Sequence, residues 1–222
     1  MSVDPDLAHP AGRPRYPGYN VLDQARHWDD VTKGVVLGRL GPPPPIRFFS
    51  PDEEAIVRPL VDRLLGMDEE PRVPVVEMLD AQLTERIGPG YRHDDMPDDW
   101  DAWKKSLKAL DDESRHVYAA GFADLTPGQQ RDILQKVQDT DGDWRGLPAA
   151  KLWTLWMRSV CQHFYAHPWA WNEIGFGGPA YPRGYKDHTL KSSREPWEVA
   201  EVDAFDPEPW AQRVEKAKRR QQ

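Results

Sequence analysis

Four groups of residues have types and spacings that could do chemistry. His163 and His167 stand four apart near a predicted helix end, a spacing that puts two ligands on one helical face. A zinc protease of the HExxH type needs a glutamate directly after the first histidine, and Phe164 stands there. Nothing in the sequence fixes a third ligand from Asp187 or His188 nearby. The simpler reading has one histidine capping the helix C-terminus and the other packing beside Tyr165. Cys161 would need a positioned base to act as a nucleophile, and otherwise reads as a small apolar residue. As the only cysteine, it excludes an intramolecular disulfide, a multi-thiolate metal site, an iron–sulfur cluster and c-type haem attachment.

Asp139-Thr140-Asp141-Gly142-Asp143 begins like an EF-hand calcium loop. The sixth position, which needs glycine, holds Trp144, and the twelfth, which needs a bidentate glutamate, holds Ala150. Gly175-Phe176-Gly177-Gly178-Pro179-Ala180 satisfies the written dinucleotide pattern GxGxxA. No strand precedes it, and Pro179 and Pro182 prevent a normal helix from following with its amides on a pyrophosphate. A packed glycine-rich loop is expected instead. No catalytic, cofactor-binding or metal-binding residue is assigned to this chain.

The elements that position these residues read as helices. Ser50, Pro51 and Glu53 form a capping signature before Ile56, Leu60, Val61, Leu64 and Leu65, and Gly66 stops the helix. Pro59 inside it predicts a kink or a break. A second helix is expected from about Pro74 to Ile87, with Val75, Val76, Leu79, Leu83 and Ile87 on one face. The segment from Pro97 to about Leu125 carries Trp100, Trp103, Leu107 and Leu110, extended by Val117, Tyr118, Phe122 and Leu125. Asp111-Asp112-Glu113 within it is either a break or a solvated turn. Thr126, Pro127 and Gln129 repeat the capping logic ahead of Ile133, Leu134 and Val137. The last core helix starts near Pro148, carries Leu152, Trp153, Trp156, Val160 and Phe164, and is expected to end at Pro168. No convincing strand pattern appears. The fold class is all-α: an irregular bundle of five or six helices over residues 46–167, between long proline-rich extensions.

Composition supports that division. Of 222 residues 22 are proline, about twice average usage, and eight of them lie in residues 1–45, ending in Pro42 to Pro45. Residues 1–45 read as an arm with a short helical piece around Val21 to Val36. Residues 168–222 read as a Gly-, Pro- and Trp-rich extension ending in a short basic helix. The formal net charge of −8 argues against a general nucleic-acid binder, and no apolar run is long enough for membrane insertion. The first residues show neither a secretory signal nor a twin-arginine pair, so the protein is expected to stay cytoplasmic or to leave with a signal-bearing partner. Aromatic residues dominate subunit interfaces. Among those in the two extensions, Trp28, Trp169, Trp171, Phe176, Tyr181, Tyr185, Trp197 and Trp210 are the candidates for partner contact.

Three segments together resemble one known family. FFSPDEEAIVRPLVDRLL (residues 48–65) with VVEMLDAQL (75–83) resembles the opening of the gluconate 2-dehydrogenase subunit 3 family. GFADLTPGQQRDIL (121–134) is similar to its central segment. FYAHPWAWNEIGFGGPAYPRGY (164–185) is similar to its closing motif, with one extra glycine, Gly178, before Pro179. The resemblance implies a small accessory subunit of a flavin-dependent dehydrogenase acting on CH–OH groups of sugars or alcohols. It implies a large subunit of the glucose-methanol-choline type that holds FAD, and in some complexes a cytochrome subunit. On that reading the chain binds no cofactor and is not an enzyme on its own. Two other readings stay open: a free-standing interaction protein without a redox partner, and a small metal enzyme built on His163, His167 and His188.

Overall fold

The computed structural model describes residues 19–67, 72–91 and 93–179. They divide into two compact units, one of residues 42–166 and one whose described residues are 19–41 and 167–179. The fold is all-α: seven α-helices and two 3-10 turns among the described residues, beside two strands of two residues each.

In the larger unit, helix α2 (Pro51–Leu65) starts on a complete capping box. The Glu53 N–H donates to Ser50 Oγ at 3.3 Å and the Ser50 N–H donates to the Glu53 carboxylate at 2.8 Å. The helix runs through Pro59 without the break that the sequence admits. Proline removes the N–H that would bond the Ala55 carbonyl, and Ala55 is exposed, where water can serve that group. Helix α3 (Val75–Thr84) stops short of Ile87, which lies past its end and is 56% exposed rather than on the buried face. Arg86, at φ +53, turns the chain there.

Helix α4 (Asp99–Tyr118) is continuous through the acidic triplet, so that stretch is not a break. Asp111 accepts from the Phe122 N–H at 3.0 Å. Glu113 is buried, accepting from Lys136 and Arg145 at 2.6 Å each. Val117, expected on the apolar stripe, is 46% exposed. The stripe continues instead through Phe122 and Leu125, around a 3-10 turn at Phe122–Asp124. Helix α5 (Pro127–Gln138) has the second capping box, between Thr126 and Gln129. Strands β1 (Asp143–Trp144) and β2 (Leu147–Pro148) pair antiparallel, Trp144 opposite Leu147. Helix α6 (Ala149–Phe164) follows at once.

Helix α6 packs against α2, α3, α4 and α5, and α2 against α3, α4 and α5. Their apolar faces meet in a core of Leu60, Leu79, Trp103, Leu107, Leu110, Phe122, Ile133, Leu152 and Trp156. The Trp156 indole N–H is satisfied inside it by Ser106 Oγ at 3.1 Å. Buried Asp80 on α3 accepts from the N–H groups of Arg47, Phe48 and Phe49 at 2.8, 2.9 and 2.9 Å, so one carboxylate holds the chain leading into α2.

The smaller unit joins residues far apart in sequence. A 3-10 helix (Val21–His27) capped by Asn20 leads to α1 (Asp30–Gly38), capped by Asp29. Pro168, expected to end the preceding helix, instead starts α7 (Pro168–Ile174); proline lacks only an N–H that the first helical position leaves unpaired anyway. Val21, Trp28, Val36 and Trp171 form the core of this unit, with Tyr19, Leu22 and Ala25 against it.

Candidate functional site

His163 and His167 belong to different units, and both are buried. His163, on α6, is buried, and its Nε2 has no hydrogen-bond partner. Burial pushes its imidazole down to about 4, so it is neutral near pH 7. His167 belongs to the other unit and caps the N-terminus of α7, not the C-terminus of α6. Its Nδ1 accepts from the Trp169 N–H at 3.3 Å and its ring lies edge-on to Trp169 at 4.8 Å. Burial lowers it to about 4 as well, against a backbone hydrogen bond with Arg39 that raises it. Among the described residues no group of three or more His, Cys, Asp or Glu could hold a metal ion. Asp187 and His188 lie outside the described residues. Cys161 is half-buried and burial pushes its thiol up, away from the reactive thiolate.

The two loops that imitate ligand motifs have structural roles. In the acidic loop Trp144 is buried and edge-on to Trp156 at 6.4 Å, while Arg145 pairs with Glu113. In the glycine-rich loop the preceding element is α7, not a strand, and Gly175 at φ +66 is its C-cap. Gly178 adopts φ +80, and a Cβ there would sit 2.9 Å from Trp28 Cζ2 and 3.1 Å from Val21 Cγ2. Ala180 and Pro182 lie outside the described residues. Gly178 is thus the position at which the loop meets Trp28.

Two cavities in the larger unit are large enough for a small molecule. One of about 320 Å³ lies between α2 and α3, lined by Arg58, Asp62, Arg72 and Glu77 among others. Its charges are engaged with one another: Arg58 donates to Glu54 at 2.6 Å and to Glu77 at 2.9 Å, and Arg72 to Asp62. The other, about 350 Å³, is a surface groove with Arg86, Tyr91, Asp98, Asp99 and Trp100 on its walls. Arg86 stacks over Trp100 at 5.3 Å, and Arg158 pairs with Asp99 at 2.9 Å. Burial raises the Asp99 carboxyl and Asp98 adds to this, while Arg158 pulls it back.

The partner-contact candidates separate by exposure. Trp28 and Trp171 are buried in the core of the smaller unit, so they shape that unit more than they offer surface. Trp169 is half-buried against His167. Phe176 is 42% exposed. Tyr181, Tyr185, Trp197 and Trp210 lie outside the described residues. Sequence reasoning missed Tyr19, whose hydroxyl donates to the Phe176 carbonyl at 3.0 Å, and Asn172, whose Oδ1 accepts from the Val21 N–H at 2.7 Å. No local pattern announces contacts between residues more than 150 positions apart.

Residues 51–178, more than half of the chain, match the model of one protein family, described as Gluconate 2-dehydrogenase subunit 3. Comparison with curated proteins and with solved structures gave no match.

Proposed function

The chain belongs to the gluconate 2-dehydrogenase subunit 3 family, and from that premise we propose that it is a non-catalytic accessory subunit. It binds and stabilises a large subunit of the glucose-methanol-choline type, which holds FAD and oxidises a sugar or alcohol. The observation that carries this reading is the family match over residues 51–178, which takes in all of α2 to α7. The side chains support it. The arginines lining the larger unit's inner cavity are engaged by neighbouring carboxylates, the pattern of a structural scaffold. The Nδ1 of the His167 ring is engaged by the Trp169 N–H, which weighs against the metal-enzyme reading.

The test is co-expression with the dehydrogenase large subunit of the same source. The purified chain alone is expected to show no flavin absorbance and no sugar or alcohol oxidation. Together with the large subunit it should raise the soluble yield of flavoprotein and co-purify with it. Substrate turnover by the chain alone would overturn the proposal.

A further inference from the structure

The smaller unit ties together two stretches that stand far apart in sequence. Residues 19–41 precede the family match, and α7 lies near its end. They share one apolar core of Val21, Trp28, Val36 and Trp171. Around it the Val21 N–H donates to Asn172 Oδ1 at 2.7 Å, and the Tyr19 hydroxyl donates to the Phe176 carbonyl at 3.0 Å. Arg39, at the end of α1, lies over the Trp171 ring at 5.8 Å. A core of four side chains is small beside that of the larger unit, and segments with few buried apolar contacts are the first to open locally. Each stretch buries the other, so neither keeps a core once they part.

His167 sits where the two stretches are joined. It is 2% exposed, its Nδ1 caps α7 by accepting from the Trp169 N–H at 3.3 Å, and it has a hydrogen bond with the Arg39 backbone. A nitrogen that accepts cannot also carry a proton, and both ring nitrogens carry one in the imidazolium. Protonation therefore removes the cap and buries a cation near the Arg39 charge, which opposes it. The other charged or titratable groups on the elements packed here are Asp23, Arg26 and His27 of the 3-10 helix, Asp30 and Lys33 of α1, and Glu173 of α7 itself. Asp23, Arg26 and Asp30 are exposed, His27 accepts from Arg26 at 2.9 Å, and Lys33 pairs with Asp30. We propose that residues 19–41 are an acid-released clasp on α7: when His167 takes up a proton they part from the helix as one piece, and the larger unit stays folded. Release uncovers Trp28 and Trp171. It is a property of this chain alone and does not depend on the accessory role.

Burial holds the closed His167 at about 4, against the ordinary 6.5 that the open chain regains. The open form thus takes up the proton first as pH falls below about 6.5, and the opening equilibrium rises about twentyfold between pH 7 and pH 5. Hydrogen exchange of the full chain, read by mass spectrometry and corrected for intrinsic rates, measures this. Residues 19–38 and 168–176 should share one protection, lower than that of α2, α4 and α6, and it should fall about twentyfold from pH 7 to pH 5. Unequal protection of the two stretches, or protection equal to that of α2, α4 and α6, would overturn the clasp. His167→Asn keeps a cap acceptor and should abolish the fall, whereas His27→Gln should leave it in place. A fall that survives His167→Asn, or that vanishes in His27→Gln, would overturn the role of His167. Should His167→Asn leave the clasp open already at pH 7, the wild-type ring decides by its NMR titration. Its protonation should coincide with the loss of protection; a midpoint near the ordinary 6.5 with the clasp still closed would overturn the proposal.

Discussion

Asp80 makes up for its burial by accepting three backbone N–H groups from Arg47, Phe48 and Phe49. Asp80→Ala leaves those donors without an acceptor, and should lower the free energy of unfolding by on the order of 3 kcal/mol in chemical denaturation. The two buried histidines act through protons instead. Both are lowered from the ordinary histidine value to about 4 by burial. Above pH 6.5 neither the folded nor the unfolded chain carries these protons, and the stability is fully present. As pH falls from about 6.5 toward 4 the unfolded chain takes up protons that the folded chain refuses, and stability is lost. Below about 4 the folded histidines protonate as well and the loss from this source levels off. His167→Asn keeps an N-cap acceptor for α7 and removes one titrating group. Denaturation followed between pH 7 and 4.5 should show a shallower acid slope for that variant; an unchanged slope would mean that His167 does not titrate as its burial implies.

At the scale of elements, the capping boxes of α2 and α5 were the clearest features in the sequence, because the cap is a local contact between residues three apart. Ser50→Ala and Thr126→Ala should each cost about 1 kcal/mol in thermal or chemical unfolding. What the sequence did not show follows from non-local causes. Helix α3 ends before Arg86, which turns the chain at positive φ without being a glycine, so Ile87 falls past the helix although Gly88 and Pro89 follow it; Val117 lies inside α4 but off its buried face. Glu113 looked like part of a solvated turn, yet it gathers Lys136 and Arg145 from later elements. Burial alone would raise its carboxyl, but the hydrogen bonds from those two cations hold it below the usual range. Glu113→Ala strands both cations and should destabilise the protein by more than a surface ion pair would, beyond about 1 kcal/mol. Of the partner-contact candidates, the exposed Phe176 was legible as an aromatic in a glycine-rich segment. That Trp28 and Trp171 would instead bury each other was not, since the residues that join them lie at opposite ends of the described chain.

At the scale of the whole molecule, a chain of the gluconate 2-dehydrogenase subunit 3 family combines an all-α unit, held by a tryptophan-rich core, with a smaller unit whose described residues pack around Trp28 and Trp171. The most direct measurement is size-exclusion chromatography of the purified chain mixed with its dehydrogenase large subunit, followed by protein and flavin absorbance together. A single earlier-eluting peak that contains both chains and the flavin, beside a colourless and inactive peak for this chain alone, is the expected result. Separate elution of the two chains, with all flavin and activity unaffected by the small one, would contradict the accessory role.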